Sequence, residues 1–206
     1  MVSLSRIYTR TGDQGQTRLA DNSVSSKTDV RMDAYGTVDE ANCAIGVAMS
    51  LAPPELVSVL SAIQNELFDL GADLATPVVE QAKVEPPCLA PTRVAQTSID
   101  QLEAWCDRFG AGLPALRSFV LPGGSALAAQ LNVARTVVRR AEREGWRAAD
   151  SVAINRLALQ YLNRLSDLLF ILGRWANAEA GVPETLWVPG VGPATNAESK
   201  LPPTAS

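Results

Sequence analysis

Histidine is missing from all 206 residues, which removes the commonest general base, the commonest metal ligand and every serine–histidine hydrolase arrangement. Whatever chemistry the chain performs runs without imidazole. Cysteine is scarce as well: Cys43, Cys88 and Cys106 make an odd count with no Cys-x-x-Cys spacing, so neither a disulfide framework nor a zinc site is expected, and a reducing cytoplasm fits best. There is no basic excess. A net charge of −4 speaks against nucleic acid as the main partner, because phosphate backbones are bound through clustered Lys and Arg on a basic surface. No stretch approaches the ~20 uninterrupted apolar residues of a membrane span, and Met1 to Arg10 has no apolar signal core, so neither insertion nor secretion is expected.

What is present is the composition of a water-soluble globule, 47% hydrophobic and 19% charged, with nothing to mark a second, differently built half. One domain is predicted over residues 1–181. Leu56, Leu60, Ile63, Leu67, Leu70 and Leu74 alternate steps of four and three, the seam of a helix packed lengthwise on others. The rhythm returns in Ala95, Ile99, Leu102, Cys106 and Phe109, then in Leu127, Leu131, Ala134, Val138 and Ala141, and again from Ile154 through Leu157, Tyr161, Leu168 and Leu172 to Trp175. With a further helix from about Asp33 to Met49 there are five, and alternating β-branched runs are lacking, so an all-α five-helix bundle is predicted. Breakers separate the helices: Pro53-Pro54, a long link from Pro77 to Pro91, and Leu113 to Ser125, where Ser125 can cap the next helix. Residues 182–206 carry little periodicity and read as a flexible tail.

Three segments carry chemistry. TRTGDQG, Thr9 to Gly15, within an ordered N-terminal loop over residues 6–28, brings hydroxyls, a guanidinium and two glycines together; glycines admit backbone N–H groups to an anion, with Arg18 and Lys27 adding charge. Alone it lacks P-loop spacing and is a weak signal. ARTVVRRAER, Ala134 to Arg143, puts Arg135, Arg139 and Glu142 on one helical face with Arg140 and Arg143 beside it. On the last helix Asn163, Asp167, Arg174 and Asn177 form a polar seam in an apolar run, and such groups need partners. A network among Arg135, Arg139, Glu142, Asn163 and Asp167 is therefore expected, and Asp39, Glu40 and Asn42 of YGTVDEAN are further candidate partners for the arginines. FVLPGGS, Phe119 to Ser125, leads an aromatic through a Pro-Gly-Gly turn into the basic helix.

Taken together, TRTGDQG with Lys27, AYGTVDEAN with AIGVA, and FVLPGGS running through ARTVVRRAER to YLNRLSD resemble the PduO-type ATP:cob(I)alamin adenosyltransferases over roughly Arg6 to Asn177. The resemblance implies a homotrimer of five-helix bundles with ATP held between subunits, transfer of the 5′-deoxyadenosyl group to cobalt, and release of triphosphate. By position it implies an ATP site of Thr9, Arg10, Thr11, Gly12, Asp13, Gly15, Thr17, Arg18 and Lys27 from the loop, completed by Arg139, Arg140, Glu142, Arg143 and Asn163. Asp39 would pair with Arg135 across the subunit interface, Phe119 and Asn132 would lie on the cobalamin side, and Glu142 is the candidate Mg²⁺ ligand. A corrinoid reductase and an adenosylcobalamin-dependent mutase are the protein partners implied.

The residue inventory agrees with such chemistry, since a cobalt(I) nucleophile needs no protein base. The chain departs from the family pattern at Asn132, where many members carry His, at Ala41 in place of the usual Leu, and in the loop from Asp21 to Ser26, which lacks a customary Gly and Arg. Asn22 can supply the positive φ there. Two rivals stand beside the enzyme: a carrier or regulatory subunit that binds ATP and corrinoid without turnover, and a structural or docking bundle. A ferritin-like di-iron bundle is excluded, because its Glu-x-x-His ligands cannot exist without histidine.

Overall fold

Three helices begin where a polar side chain closes their first turn. In the computed structural model, which describes Tyr8 and residues 10–20, 22–78 and 92–190, Asp29 accepts from Arg31 N to start α1 (Val30–Met49) and Ser125 accepts from Ala128 N to start α4 (Ala126–Ala149). Asn155 accepts from Leu157 N to start α5 (Arg156–Glu179). Proline at the first position opens α2 (Pro54–Ala75), where a missing N–H costs nothing; α3 spans Gln96–Gly110. The cap at Asp29 sets α1 a turn earlier than the periodicity alone suggested. Among the described residues these five helices are joined by one two-stranded hairpin, β1 (Gln16–Arg18) antiparallel to β2 (Val24–Ser26).

The seam residues of α2, from Leu56 to Leu74, are all buried, and so are Leu131, Ala134, Val138 and Ala141 of α4 and Tyr161, Leu168 and Leu172 of α5. Each leucine so buried contributes about 1.5–3 kcal/mol. α1 packs between α2 and α4, and α5 packs between α4 and α3. The order explains why α1 and α4 carry their polar residues on flanks and their small residues, Ala34, Ala41, Ala48, Ala134 and Ala141, in the core.

A buried carboxylate fastens the far end of the bundle. Asp73 Oδ2 accepts from Val94 N at 2.8 Å and from Asn155 Nδ2 at 2.7 Å, while Oδ1 takes Arg93 Nη1 at 2.5 Å. One side chain thus ties the end of α2 to the approach to α3 and to the cap of α5.

Residues 182–190 depart from the expected tail. Leu121 N donates to Thr185 O at 2.8 Å and Trp187 N to Phe119 O at 2.7 Å, forming an antiparallel bridge with the segment before α4. Arg174 holds the return through Glu184, Nε to Oε1 at 2.6 Å, and also donates to Pro114 O at 2.8 Å. Backbone pairing of this kind leaves no helical or alternating pattern to read. Thr9, Asp21, Cys88, most of the Pro77 to Pro91 link and residues 191–206 lie outside the described residues.

Candidate active site

The N-terminal candidates gather on the hairpin and the turn before it. Gly15 N donates to Gly12 O at 3.3 Å and Lys27 N to Gly15 O at 2.9 Å, so the turn folds over the start of β1. A Cβ at Gly12 would stand 3.1 Å from Lys27 Nζ and 3.2 Å from Gln16 O, close enough to push the ammonium away from the loop backbone by a few tenths of an ångström. Arg10 has φ 62°, a left-handed conformation that side-chain-bearing residues rarely adopt and that concentrates at binding sites. Asn22 supplies the positive φ expected of it, 66°, and Arg18 Nη1 bonds its carbonyl at 2.9 Å. Ala20 N reaches Ala75 O, anchoring the hairpin to α2. Beneath it lies a cavity of about 470 Å³ that includes Arg18, Tyr35, Asp39, Asn42 and Phe68 in its lining. Burial and the charge of Asp29 push the Tyr35 phenol above its usual range.

The second group lies on α4, α5 and the strap formed by residues 116–121 with Trp187. A cavity of about 530 Å³ is lined by Leu116, Ser118, Phe119, Val120, Arg135, Phe170 and Trp187. Phe119 is 77% exposed although it meets Trp187 edge-to-face at 6.0 Å; a large aromatic kept in solvent at a cavity mouth is costly unless something covers it. Arg135 is half-buried, and burial, then the neighbouring charge of Arg139, lowers its pKa. It has no carboxylate partner among the described residues; its Nε donates instead to Asn132 Oδ1 at 3.2 Å. Arg139 and Glu142 likewise have no ion-pair partner there, and Arg143 Nη1 donates to the Arg139 carbonyl at 3.1 Å. Arg140 is committed to Glu40 of α1.

The family model described as cobalamin adenosyltransferase matches residues 7–176. The corrinoid adenosyltransferase of Mycobacterium tuberculosis is 58% identical over 193 residues, 92% of this chain and 96% of its own. The chain belongs to the cobalamin adenosyltransferase family. The Bacillus subtilis corrinoid adenosyltransferase is 40% identical, covering 86% of this chain and 89% of its own. A single-residue variant of the Lactobacillus reuteri PduO-type ATP:corrinoid adenosyltransferase, complexed with cobalamin and ATP, superposes with TM-score 0.81 at 38% identity, covering 88% of this chain and 99% of that one.

Within this cobalamin adenosyltransferase fold, one chain does not join the two groups. α1 stands between them: Asp39 lines the hairpin cavity, while the next residue, Glu40, bonds Arg140 on α4. The network expected among Arg135, Arg139, Glu142, Asn163 and Asp167 does not form. Asp167 Oδ2 instead accepts from Arg164 Nη1 at 2.8 Å, and Arg164 also reaches Glu103 of α3 at 3.0 Å. Asn163 is exposed, its carbonyl taken by Ser166 Oγ. Arg174 and Asn177 are architectural: Asn177 bonds Ser125 N at 2.8 Å and Gly123 O at 3.0 Å, bracing the Pro-Gly-Gly turn. At Gly124, φ 98°, a Cβ would fall 2.2 Å from Asn177 Oδ1. Asn42 pairs with Gln64 on α2 rather than with an arginine. Phe170 and Trp187 belong to the cavity but were not candidates. Phe170 had a legible signal, since it lies on the same helical face as Asn163, Asp167 and Arg174; Trp187, in the run Trp187 to Gly190, was legible only as part of a segment that either closes over the cofactor or stays unstructured.

Proposed function

We propose that the chain transfers the 5′-deoxyadenosyl group of ATP to the cobalt of cob(I)alamin, releasing triphosphate, at sites shared between neighbouring copies of a homotrimer. The observation that carries this reading is a pair of complementary surfaces on one chain that lack partners among the described residues: Arg135 half-buried without a carboxylate beside an unpaired Arg139, and Asp39 unpaired at the hairpin cavity. A second copy supplies what each lacks. The Asp39 carboxylate of one subunit would then meet Arg135 of the next, bringing the glycine-bearing turn opposite Arg139 and Arg143. The Lactobacillus reuteri relative, which holds cobalamin and ATP together, supports the same pairing of ligands here.

Cobalt(I) attacks the ribose C5′ and the bond from C5′ to the triphosphate oxygen breaks, so the cobalt supplies the electron pair and no proton moves. That reaction suits a chain with no histidine. The side chains have three tasks: Arg10, Thr11, Lys27, Arg139 and Arg143 hold the departing triphosphate and stabilise its charge, the aromatic cavity aligns the corrin, and Phe119 with Trp187 keeps its lower face apolar and free of an axial ligand. Among the described residues no three potential ligating side chains gather. Mg²⁺ is ordinarily held by one or two carboxylates together with substrate phosphates, and Glu142 beside the arginines fits an ion that arrives with ATP. Bound there, the ion would neutralise charge on the triphosphate.

Anaerobic incubation with ATP and chemically reduced cobalamin is expected to yield adenosylcobalamin, followed by the change in its absorbance. Binding of both ligands, seen as raised melting temperatures, without product would instead identify a carrier. No shift with millimolar ATP would leave only a structural bundle. Sedimentation is expected to give three chains per particle, and a monomer would remove the shared site.

A further inference from the structure

Asn132 faces α5 and Arg135 rather than the cavity: it is absent from the cavity lining, which Arg135 joins. Its Nδ2 donates to the Ala128 carbonyl one turn back at 3.0 Å, and its Oδ1 accepts from Arg135 Nε at 3.2 Å. The first bond fixes the amide's orientation and therefore leaves only the oxygen for the arginine. α5 makes the room, because a Cβ at Gly173 would stand 3.2 Å from Asn132 Nδ2. Anchored at Nε, the planar guanidinium has one orientation, and both terminal nitrogens are left for a partner at the cavity. The charged neighbour of Arg135 is Arg139 on the same helix, and Arg174, next to Gly173 along α5, is engaged by Glu184.

We infer that Asn132 is a positioning residue for the adenosyl transfer: it fixes the Arg135 guanidinium through Nε and makes no contact with the corrin itself. The geometry stands on the structure alone, while its consequence for turnover rests on the adenosyltransferase reading. An amide also does this without titrating. A histidine at 132 would accept from Arg135 only while neutral and would repel it once protonated, and the arginines would hold its inflection at or below ~6.5.

Two measurements test this separately. In ligand-free protein the Arg135 Nε–H, assigned through Arg135→Lys, is expected to exchange slowly with solvent, and Asn132→Leu to accelerate that exchange at least tenfold; Asn132→Ala serves should leucine prevent folding. In turnover, Asn132→Leu is expected to lower kcat about tenfold with the KM for ATP within twofold and the melting temperature unchanged. Asn132→His is expected to match wild type at pH 7.5 and fall about tenfold against it by pH 5.5, the ratio to wild type cancelling the titrations the two proteins share and leaving that of the introduced side chain, since the wild-type chain has no histidine. Unaltered Arg135 exchange in Asn132→Leu, or kcat within twofold together with a flat Asn132→His ratio, overturns the inference. A wild-type protein that makes no adenosylcobalamin refutes the adenosyltransferase reading instead, and the exchange measurement then decides the role of Asn132 alone.

Discussion

Replacing Arg139 with alanine separates chemistry from folding more cleanly than any other change in the candidate site. The side chain is exposed and has no ion-pair partner among the described residues, and the side-chain hydrogen bond that reaches the residue, from Arg143 Nη1, goes to its backbone carbonyl and survives the substitution. Alanine is the best helix former, so α4 loses nothing locally. Arg139 also lowers the pKa of Arg135 by repulsion, and removing it relieves that cost. Stability should therefore hold or rise slightly. Against this, a unit charge ~4 Å from a phosphate oxygen near a protein surface is worth about 4 kcal/mol, and part of it is realised only as charge builds on the departing triphosphate. A loss of about 2.7–4 kcal/mol in the transition state corresponds to roughly 10²–10³ in kcat. Adenosylcobalamin formation under anaerobic conditions measures the rate, and thermal unfolding with and without ATP measures fold and binding. A rate within threefold of wild type, with the melting temperature unchanged, would show that the arginine face does not meet the nucleotide.

Asp39→Asn is expected to weaken subunit association and activity together, because Arg135, half-buried in one chain and covered by the next in the proposed assembly, would lose its carboxylate, and breaking a buried pair costs about 3–5 kcal/mol; unchanged sedimentation and kinetics would refute the pairing. Gly124→Ala is expected to lower the melting temperature markedly, because its Cβ would fall 2.2 Å from Asn177 Oδ1 at a backbone φ of 98°; if the melting temperature does not move, the turn is not braced as described. Burial first, and then Asp167, push the Cys106 thiol up to about 11, whereas Cys43 is exposed. Because the folded state favours protonated Cys106, its contribution to stability is complete below about pH 9 and is lost as pH rises toward 11. Alkylation at pH 8 should accordingly modify Cys43 quickly and Cys106 slowly, and equal rates read by mass spectrometry would contradict the burial.

The five helices were legible because their apolar positions recur at a spacing that only a helix packed lengthwise can use, and each cap or proline marks a start that the backbone itself requires. Residues such as Leu60, Leu67 and Val138 could hardly lie anywhere but in the core. The identity of the chemical groups was legible for the same local reason: a glycine-bearing turn with Thr and Lys, and arginines three and four apart, declare their types and their shared face. Which of those groups meet was not. Asp167 turned to Arg164 and α3, Asn177 to the Gly123 carbonyl, and Arg174 to Glu184, because a side chain's partner depends on which helices lie alongside it.

The sequence by itself determined a helical bundle without imidazole chemistry, and it determined which residues bear the charge, since periodicity and composition are properties of neighbours along the chain. Only the tertiary structure decided that Trp187 returns to the strap carrying Phe119, that Asn132 holds Arg135, and that α1 keeps the hairpin and the arginine face apart within one chain. These depend on contacts between residues far apart in sequence, whose formation is set by packing across helices and leaves no local pattern.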